Sequence, residues 1–200
     1  MNVGHYRLAK NADKRLGKEF ARNLKSGIAR TYEKAQSNPF LFGIPTIWCS
    51  NNLTTAMVTQ CMLYREATGD KTYMEMEAAL RDWLFGCNPW GTSMVVELPE
   101  GGDYPIQPHS AYVSERAGNA TGGLVDGPVY SSIFNGLVGV NLNGLPWLKG
   151  ETYSDVQPDD MVYHDAIGDY STNEPTMDGT ASMTYFLSAL QKEGMKQAKK

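Results

Sequence analysis

Apolar positions along this chain recur every three to four residues in long stretches and rarely alternate, so the dominant pattern is helical. From Lys14 to about Gln36 they fall at Leu16, Phe20, Leu24 and Ile28, a step of four that predicts one helix. Asn38-Pro39 closes it, because the residue before a proline is pushed out of the α region. The apolar loop FLFGIPTIWCSNN follows. Ser50, Asn51 or Asn52 can then cap a second helix running to about Ala67, with Leu53, Met57, Cys61 and Tyr64 on one face. Gly69-Asp70 supplies a stop and a restart. A third helix carries Tyr73, Met76, Leu80, Trp83 and Leu84, and a turn this short makes the pair an αα-hairpin.

Over residues 86–127 the period is lost among glycines and turns. Long structured loops of this kind carry function more often than they merely connect. A fourth helix is predicted over Tyr130–Asn141, with Ile133, Leu137 and Val140 inward. After a loop over 143–173, a last helix runs from about Met177 to Lys192, with Ala181, Tyr185 and Leu190 on one face. Residues 1–13 and 193–200 are polar and are expected to be loose. The expectation is an all-α fold of helical hairpins with long loops, in a single region spanning 1–200.

Composition narrows the function classes. The 200 residues suffice for one domain with a real core, and a net charge of −4 offers no attraction to nucleic acid or an anionic membrane. No apolar run approaches a membrane span, and the opening MNVGHYRLAKNADKR lacks the apolar centre of an export signal. Cys49, Cys61 and Cys87 are odd in number and not in CxxC spacing, which argues against a disulfide framework or a zinc site. Cys61 reads as a small buried hydrophobe. The chain holds 4 Trp, 11 Tyr and 6 Phe, enough to build aromatic sugar platforms, although most such rings are ordinarily core.

The richest chemistry lies in YHDAIGDYSTNEPTMDGTAS, residues 163–182. It sets Asp165, Asp169, Glu174 and Asp178 in a turn-rich segment ahead of a helix. Acids there can simply cap the helix and complement its dipole, and Asp178 is read that way. Tyr163, Tyr170 and Asn173 beside them make capping alone less satisfying. Glycoside hydrolysis needs a protonated carboxyl at the leaving oxygen, a second carboxylate, and walls that hold the ring.

This segment resembles the second signature of glycoside hydrolase family 9: aromatic, x, Asp, four residues, aromatic, three residues, Glu, x, small residue. Tyr163, Asp165, Tyr170, Glu174 and Thr176 occupy those places, and Thr180 stands where the family usually has Asn. Other stretches are similar in the right order. FGCNPWGTSMV resembles the family's LGxNPxGxSxV stretch, and IWCSN, residues 47–51, resembles its WGSN loop. GGLVDGP, residues 122–128, is similar to GxLVGGP, with Asp126 replacing Gly. PHSA, residues 108–111, resembles PHxR but has Ala111 in place of Arg, which removes a fork suited to sugar hydroxyls.

The resemblance covers roughly residues 30–190. It implies part of an (α/α)6 toroid, the C-terminal portion of a cellulase-type catalytic domain. It also implies inverting hydrolysis of β-1,4-glucans, with Glu174 as general acid and Trp48, His109, Tyr163, Asp165 and Tyr170 as substrate-binding or supporting residues. The family's catalytic base is an Asp in an N-terminal DAGDY motif. DAIGDY at residues 165–170 has one residue too many and belongs to the acid signature. Upstream, Asp13, Glu19 and Glu33 read as solvated positions on or beside a helix.

A complete domain of this kind needs about twice the length. The chain is therefore expected to be inactive alone and to self-associate or pair with a chain carrying the N-terminal half. No cofactor is expected. Structural calcium occurs in parts of the family, but Asp155, Asp159 and Asp160 have no spacing that specifies a site. Family resemblance implies secretion. The alternative is a non-catalytic carbohydrate-binding or structural remnant.

Overall fold

The computed structural model describes residues 3–109, 120–137 and 150–199. Its long elements are helices: α1 (Val3–Asn11), α2 (Lys14–Ala35), α3 (Ser50–Thr68), α4 (Met74–Leu84), the short α5 (Ser131–Asn135) and α6 (Met177–Gln197). The strands are two residues each: β1 (Leu124–Val125), β2 (Val129–Tyr130), β3 (Gly150–Glu151), β4 (Met161–Val162), β5 (Asp165–Ala166) and β6 (Pro175–Thr176). They pair antiparallel as β1–β6, β2–β4 and β3–β5. These described residues form two compact units.

The first unit comprises the described residues of 1–44, 54–81 and 184–200. α2 begins where the periodicity places it, and Asp13 caps it by accepting from the Arg15 and Leu16 amides at 2.9 and 3.0 Å. Asp13 is thus both solvated and structural. The chain is already helical from Val3, where polar composition gave no reason for an element. α1 has no buried residue. It lies against α2 at Gly17, where a Cβ would stand 3.0 Å from the Ala9 carbonyl oxygen.

The predicted inward faces of α2 and α4 are largely observed. Leu24 and Ile28 are buried, as are Tyr73, Met76 and Leu80 on and just before α4. The predicted face of α3 is observed only in part, at Cys61 and Tyr64. Leu53 is exposed, and the buried positions include Thr54, Thr55, Val58 and Thr59 as well as Cys61 and Tyr64. Threonines turned inward erase the hydrophobic period that a sequence reading depends on. Tyr73 packs edge-on against Tyr32 at 5.4 Å, and the Tyr64 hydroxyl donates to Asp70 at 2.7 Å.

Gly43 is a close-packing point in this unit. A Cβ there would meet the Thr31 carbonyl oxygen at 2.2 Å and the Ala35 nitrogen at 2.9 Å. Both are backbone atoms that cannot rotate aside. Gly43→Ala is therefore expected to cost about 1–3 kcal/mol of stability, read as a lowered urea midpoint with an unchanged slope.

The second unit comprises residues 45–53 and the described residues of 82–183. Trp83 and Leu84 at the end of α4 are fully buried, as the pattern predicts. Trp83, Trp90 and Tyr163 form a run of edge-on rings, with centroids 6.0 and 5.5 Å apart. The Asn88 side chain closes the loop after α4 by donating to the Trp83 and Thr92 carbonyls at 2.8 and 2.7 Å.

The helix expected over Tyr130–Asn141 is one short turn at Ser131–Asn135, ending at Gly136. Ile133 and Leu137 are half-buried, while Val140 lies outside the described residues. α6 runs to Gln197, longer than predicted, and its buried positions include Met183 and Phe186. Ala181 and Tyr185, expected inward, are exposed, because the true face is offset by one to two residues.

Candidate active site

Every described residue of the candidate site lies in the second unit. Glu174 is exposed and immediately precedes β6. The β1–β6 ladder pairs Leu124 with Thr176 and Val125 with Pro175. It continues one step further, because the Asp126 amide donates to the Glu174 carbonyl at 2.9 Å. The Gly127 amide then donates to Thr172 at 3.0 Å. Glu174 thus projects from a backbone held on both sides.

The preceding residue, Asn173, ties the site together. Its buried side chain donates to the Gln107 carbonyl at 2.8 Å and to Asp165 at 3.0 Å. Its Oδ1 accepts from the Tyr163 hydroxyl at 3.2 Å, and its carbonyl accepts from the His109 amide at 3.0 Å. The Asp165 carboxylate also accepts from the Ile106 and Gln107 amides at 2.8 and 2.9 Å. Burial raises the Asp165 pKa, opposed by those two amides and Asn173. Asp165 and Asn173 together fix the loop bearing His109 against the segment bearing Glu174.

These positions bear on two expectations: Tyr163 is not a substrate-binding surface, and of the two roles open to Asp165 its hydrogen bonds fit the supporting one. Tyr163 is fully buried and Asp165 nearly so, at 0% and 2% exposure, so neither offers a surface to a sugar ring. Burial raises the Tyr163 hydroxyl well above its usual range, and the ring belongs to the aromatic core. An aromatic-x-Asp pattern does not distinguish a cleft wall from the support behind it. Asn173, which carries most of the connections, was visible in the sequence only as an amide beside the acids.

Three of the expected substrate residues do meet. Trp48 is exposed, and its ring lies nearly parallel to Tyr170, with centroids 6.0 Å apart and planes 15° apart. His109 meets Tyr170 edge-on at 6.0 Å. The His109 Nδ1 lies 2.9 Å from the Ile167 carbonyl oxygen, an acceptor, so Nδ1 carries the proton. Ala111, the departure from PHxR, lies outside the described residues.

The polar residues around α3 and α6 complete the frame. Ser50 donates to the Pro128 carbonyl at 2.7 Å and Asn51 to the Val125 carbonyl at 2.9 Å. Asn52 bridges Asp178 and Thr176, each at 2.9 Å. Residues considered as helix caps therefore also join α3 to the β1–β6 region. Thr180 accepts from the Leu124 amide at 3.0 Å and donates to the Thr176 carbonyl at 2.6 Å, so the threonine has a defined role at the departure from Asn.

Asp126 was recognised in the sequence only as a replacement for glycine. It is buried, at 3% exposure, and its Oδ1 has no partner among the described residues. Burial pushes its pKa up to about 7, aided by the charges of Glu174, Asp178 and Asp169 and opposed by a hydrogen bond from Cys49. The Cys49 thiol is pushed up to about 12, by burial first and then by Asp126, so it stays protonated and donates.

Among the described residues no group of three or more His, Cys, Asp and Glu is arranged to hold a metal, and no helix is long and apolar enough to cross a membrane. Asp159 and Asp160 offer their carbonyls to Ser131, at 3.0 Å each.

The model of Glycosyl hydrolase family 9 matches residues 3–187. The chain belongs to this family. Similar solved structures include a single-mutant thermostable endoglucanase from Alicyclobacillus acidocaldarius, at TM-score 0.66 and 19% identity, covering 89% of this chain and 32% of that one. A metagenome-derived family 9 endoglucanase aligns at TM-score 0.65 and 20% identity, over 90% of this chain and 31% of that one. A family 9 protein from Bacteroides ovatus aligns at TM-score 0.62 and 19% identity, over 87% and 28%. This family 9 chain thus spans about a third of the length of those structures. No curated protein sequence matches it. The fold class is all-α, part of an (α/α)6 toroid, as the sequence implies.

Proposed function

We propose that this family 9 chain contributes the acid side of an inverting β-1,4-glucan hydrolase. The observation that carries the reading is Glu174 itself: an exposed carboxyl on a clamped backbone, one residue after Asn173, whose carbonyl holds the amide of His109 in the Trp48–Tyr170–His109 aromatic group. Glu174 gives a proton to the glycosidic oxygen as the bond to the anomeric carbon breaks. A water attacks the opposite face, and a separate carboxylate roughly 6.5–9.5 Å away takes its proton. Trp48 supplies a flat apolar face for a sugar ring, and the His109 Nε2 accepts from a hydroxyl. Asp165, Tyr163 and Asn173 hold these groups in place. In this reading no cofactor takes part and secretion follows the family habit.

The base belongs to the segment with the DAGDY motif, which this sequence does not contain, so the isolated chain is proposed to be inactive. A partner carrying that segment, or a second copy of the chain, is the proposed companion. The second reading, a chain that binds glucan without turnover, draws on the same exposed Trp48.

The test is incubation of the purified chain with a soluble β-glucan, alone and after mixing with a polypeptide carrying the DAGDY segment. New reducing ends of the α-anomer, appearing only in the mixture, support the reading. β-anomeric product would overturn inversion, and turnover by the isolated chain would overturn the missing base. Binding without turnover in both would favour the second reading. Trp48→Ala is expected to weaken cello-oligosaccharide binding about tenfold by calorimetry, the loss of one stacked face.

A further inference from the structure

The two places where the family motifs quoted above have glycine and this chain does not face each other. Cys49 stands at the glycine of WGSN, and Asp126 at the glycine of LVGGP. Cys49 keeps the left-handed backbone such a glycine would use, with φ 57°. Its thiol hydrogen-bonds the Asp126 carboxyl. The Asp126 amide in turn holds the Glu174 carbonyl.

The surroundings of Asp126 are unusual for a carboxylate. From the loop before α3 it meets the neutral Cys49 thiol. Among the described residues, the charged groups that act on it most are Glu174 ahead of β6, Asp178 on α6 and Asp169 in the loop before Glu174, all acids. Among the described residues its Oδ1 is buried without a partner, as is the Oδ1 of Asn51, whose side chain lies on the neighbouring Gly127. An ionised carboxylate there would be desolvated, beside other acids, and short of donors. A carboxylic acid carries no charge to desolvate and brings an O–H donor of its own.

We propose that Asp126, with Cys49, is a positioning residue for Glu174 that works as a neutral carboxylic acid, and that its ionisation is felt directly at the Glu174 carboxyl. Neutral, it steadies the ladder from which Glu174 projects without adding charge. Ionised, it sets a second negative charge beside Glu174 and strains the same ladder. The proposal rests on the reading of Glu174 as the acid only for its functional meaning; the coupling itself is a property of the chain without substrate.

The experiment follows the Glu174 carboxyl by carbon-13 NMR from pH 4 to 9 in the chain, with the signal assigned by its loss in Glu174→Gln. The wild-type signal is expected to titrate in two steps, its own and a smaller one near neutrality. Asp126→Asn, an uncharged isostere, should abolish the second step and keep the fold, and Asp126→Gly should do the same. A single step in the wild type, or a second step that survives Asp126→Asn, overturns the proposal. Failure of the hydrolysis test with the two-step titration intact would sink the acid assignment and leave the coupling standing.

Melting temperature gives an independent readout. With the folded pKa raised above the unfolded one, Asp126 favours the fold most below about pH 4 and loses that contribution as pH rises to about 7. The difference in melting temperature between wild type and Asp126→Asn should therefore shift against the wild type across that window and stay level above it. A difference that is flat throughout contradicts a neutral Asp126.

Discussion

Glu174→Gln is expected to lower kcat about 10²–10⁴-fold in any preparation that turns over β-glucan, with KM changed far less. The carboxamide has nearly the same shape, and the backbone that aims it is fixed through the Asp126 amide and the β1–β6 ladder. The geometry should therefore survive while the proton is lost. Leaving-group chemistry separates this from a general loss of fold. An aryl β-glucoside whose phenol leaves readily needs little protonation, so its hydrolysis should fall much less than that of the glucan. Equal losses on both substrates would indicate damaged packing, and an unchanged kcat on glucan would remove Glu174 from the mechanism.

The second large effect concerns stability. Arg65 on α3 forks its guanidinium onto Glu77 of α4, with Nε at 2.9 Å and Nη2 at 2.9 Å. The same group reaches Glu193 of α6 through Nη1 and Nη2 at 2.9 and 2.8 Å. Glu77 is buried, at 6% exposure, whereas Glu193 is half-buried. Arg65→Met keeps the apolar stem but strands Glu77 without its counter-charge. The expected loss is about 3 kcal/mol by urea denaturation, at the low end for breaking a buried pair because Arg65 itself is partly exposed. Replacing Glu77 with Leu in the same chain should recover much of that loss, since the stranded charge is then gone. A single mutant within about 0.5 kcal/mol of wild type would show that the fork contributes nothing.

How far the sequence disclosed this depended on what kind of residue faced inward. Helices whose cores are aliphatic or aromatic, such as α2 and α4, were legible by spacing alone. α3 was legible as a helix but only half as a face, because Thr54, Thr55 and Thr59 are buried beside Cys61 and Tyr64 and no apolar period marks them. α6 was placed well and rotated wrongly for a similar reason, its buried side being Gly179, Met183 and Phe186 rather than a regular stripe.

At the site, motif resemblance singled out Glu174, Trp48, His109 and Tyr170, and the fold brings the rings of Trp48, His109 and Tyr170 together. It could not say that Tyr163 stands behind that surface. Nor could it give Asn173 its role, since that depends on partners distant in sequence, at Gln107 and His109. The short strands were invisible because two-residue ladders leave no alternation to detect.

The Cys49–Asp126 contact also constrains how such a chain can vary. Cysteine at a left-handed position costs on the order of 1 kcal/mol, and with a glycine opposite it would gain no partner in return. A buried aspartate facing a glycine would lack its thiol donor. Each replacement is unfavourable alone and less so with the other, so their effects are not additive. A double replacement of Cys49 and Asp126 by glycine is therefore expected to cost less stability than the two single replacements added together.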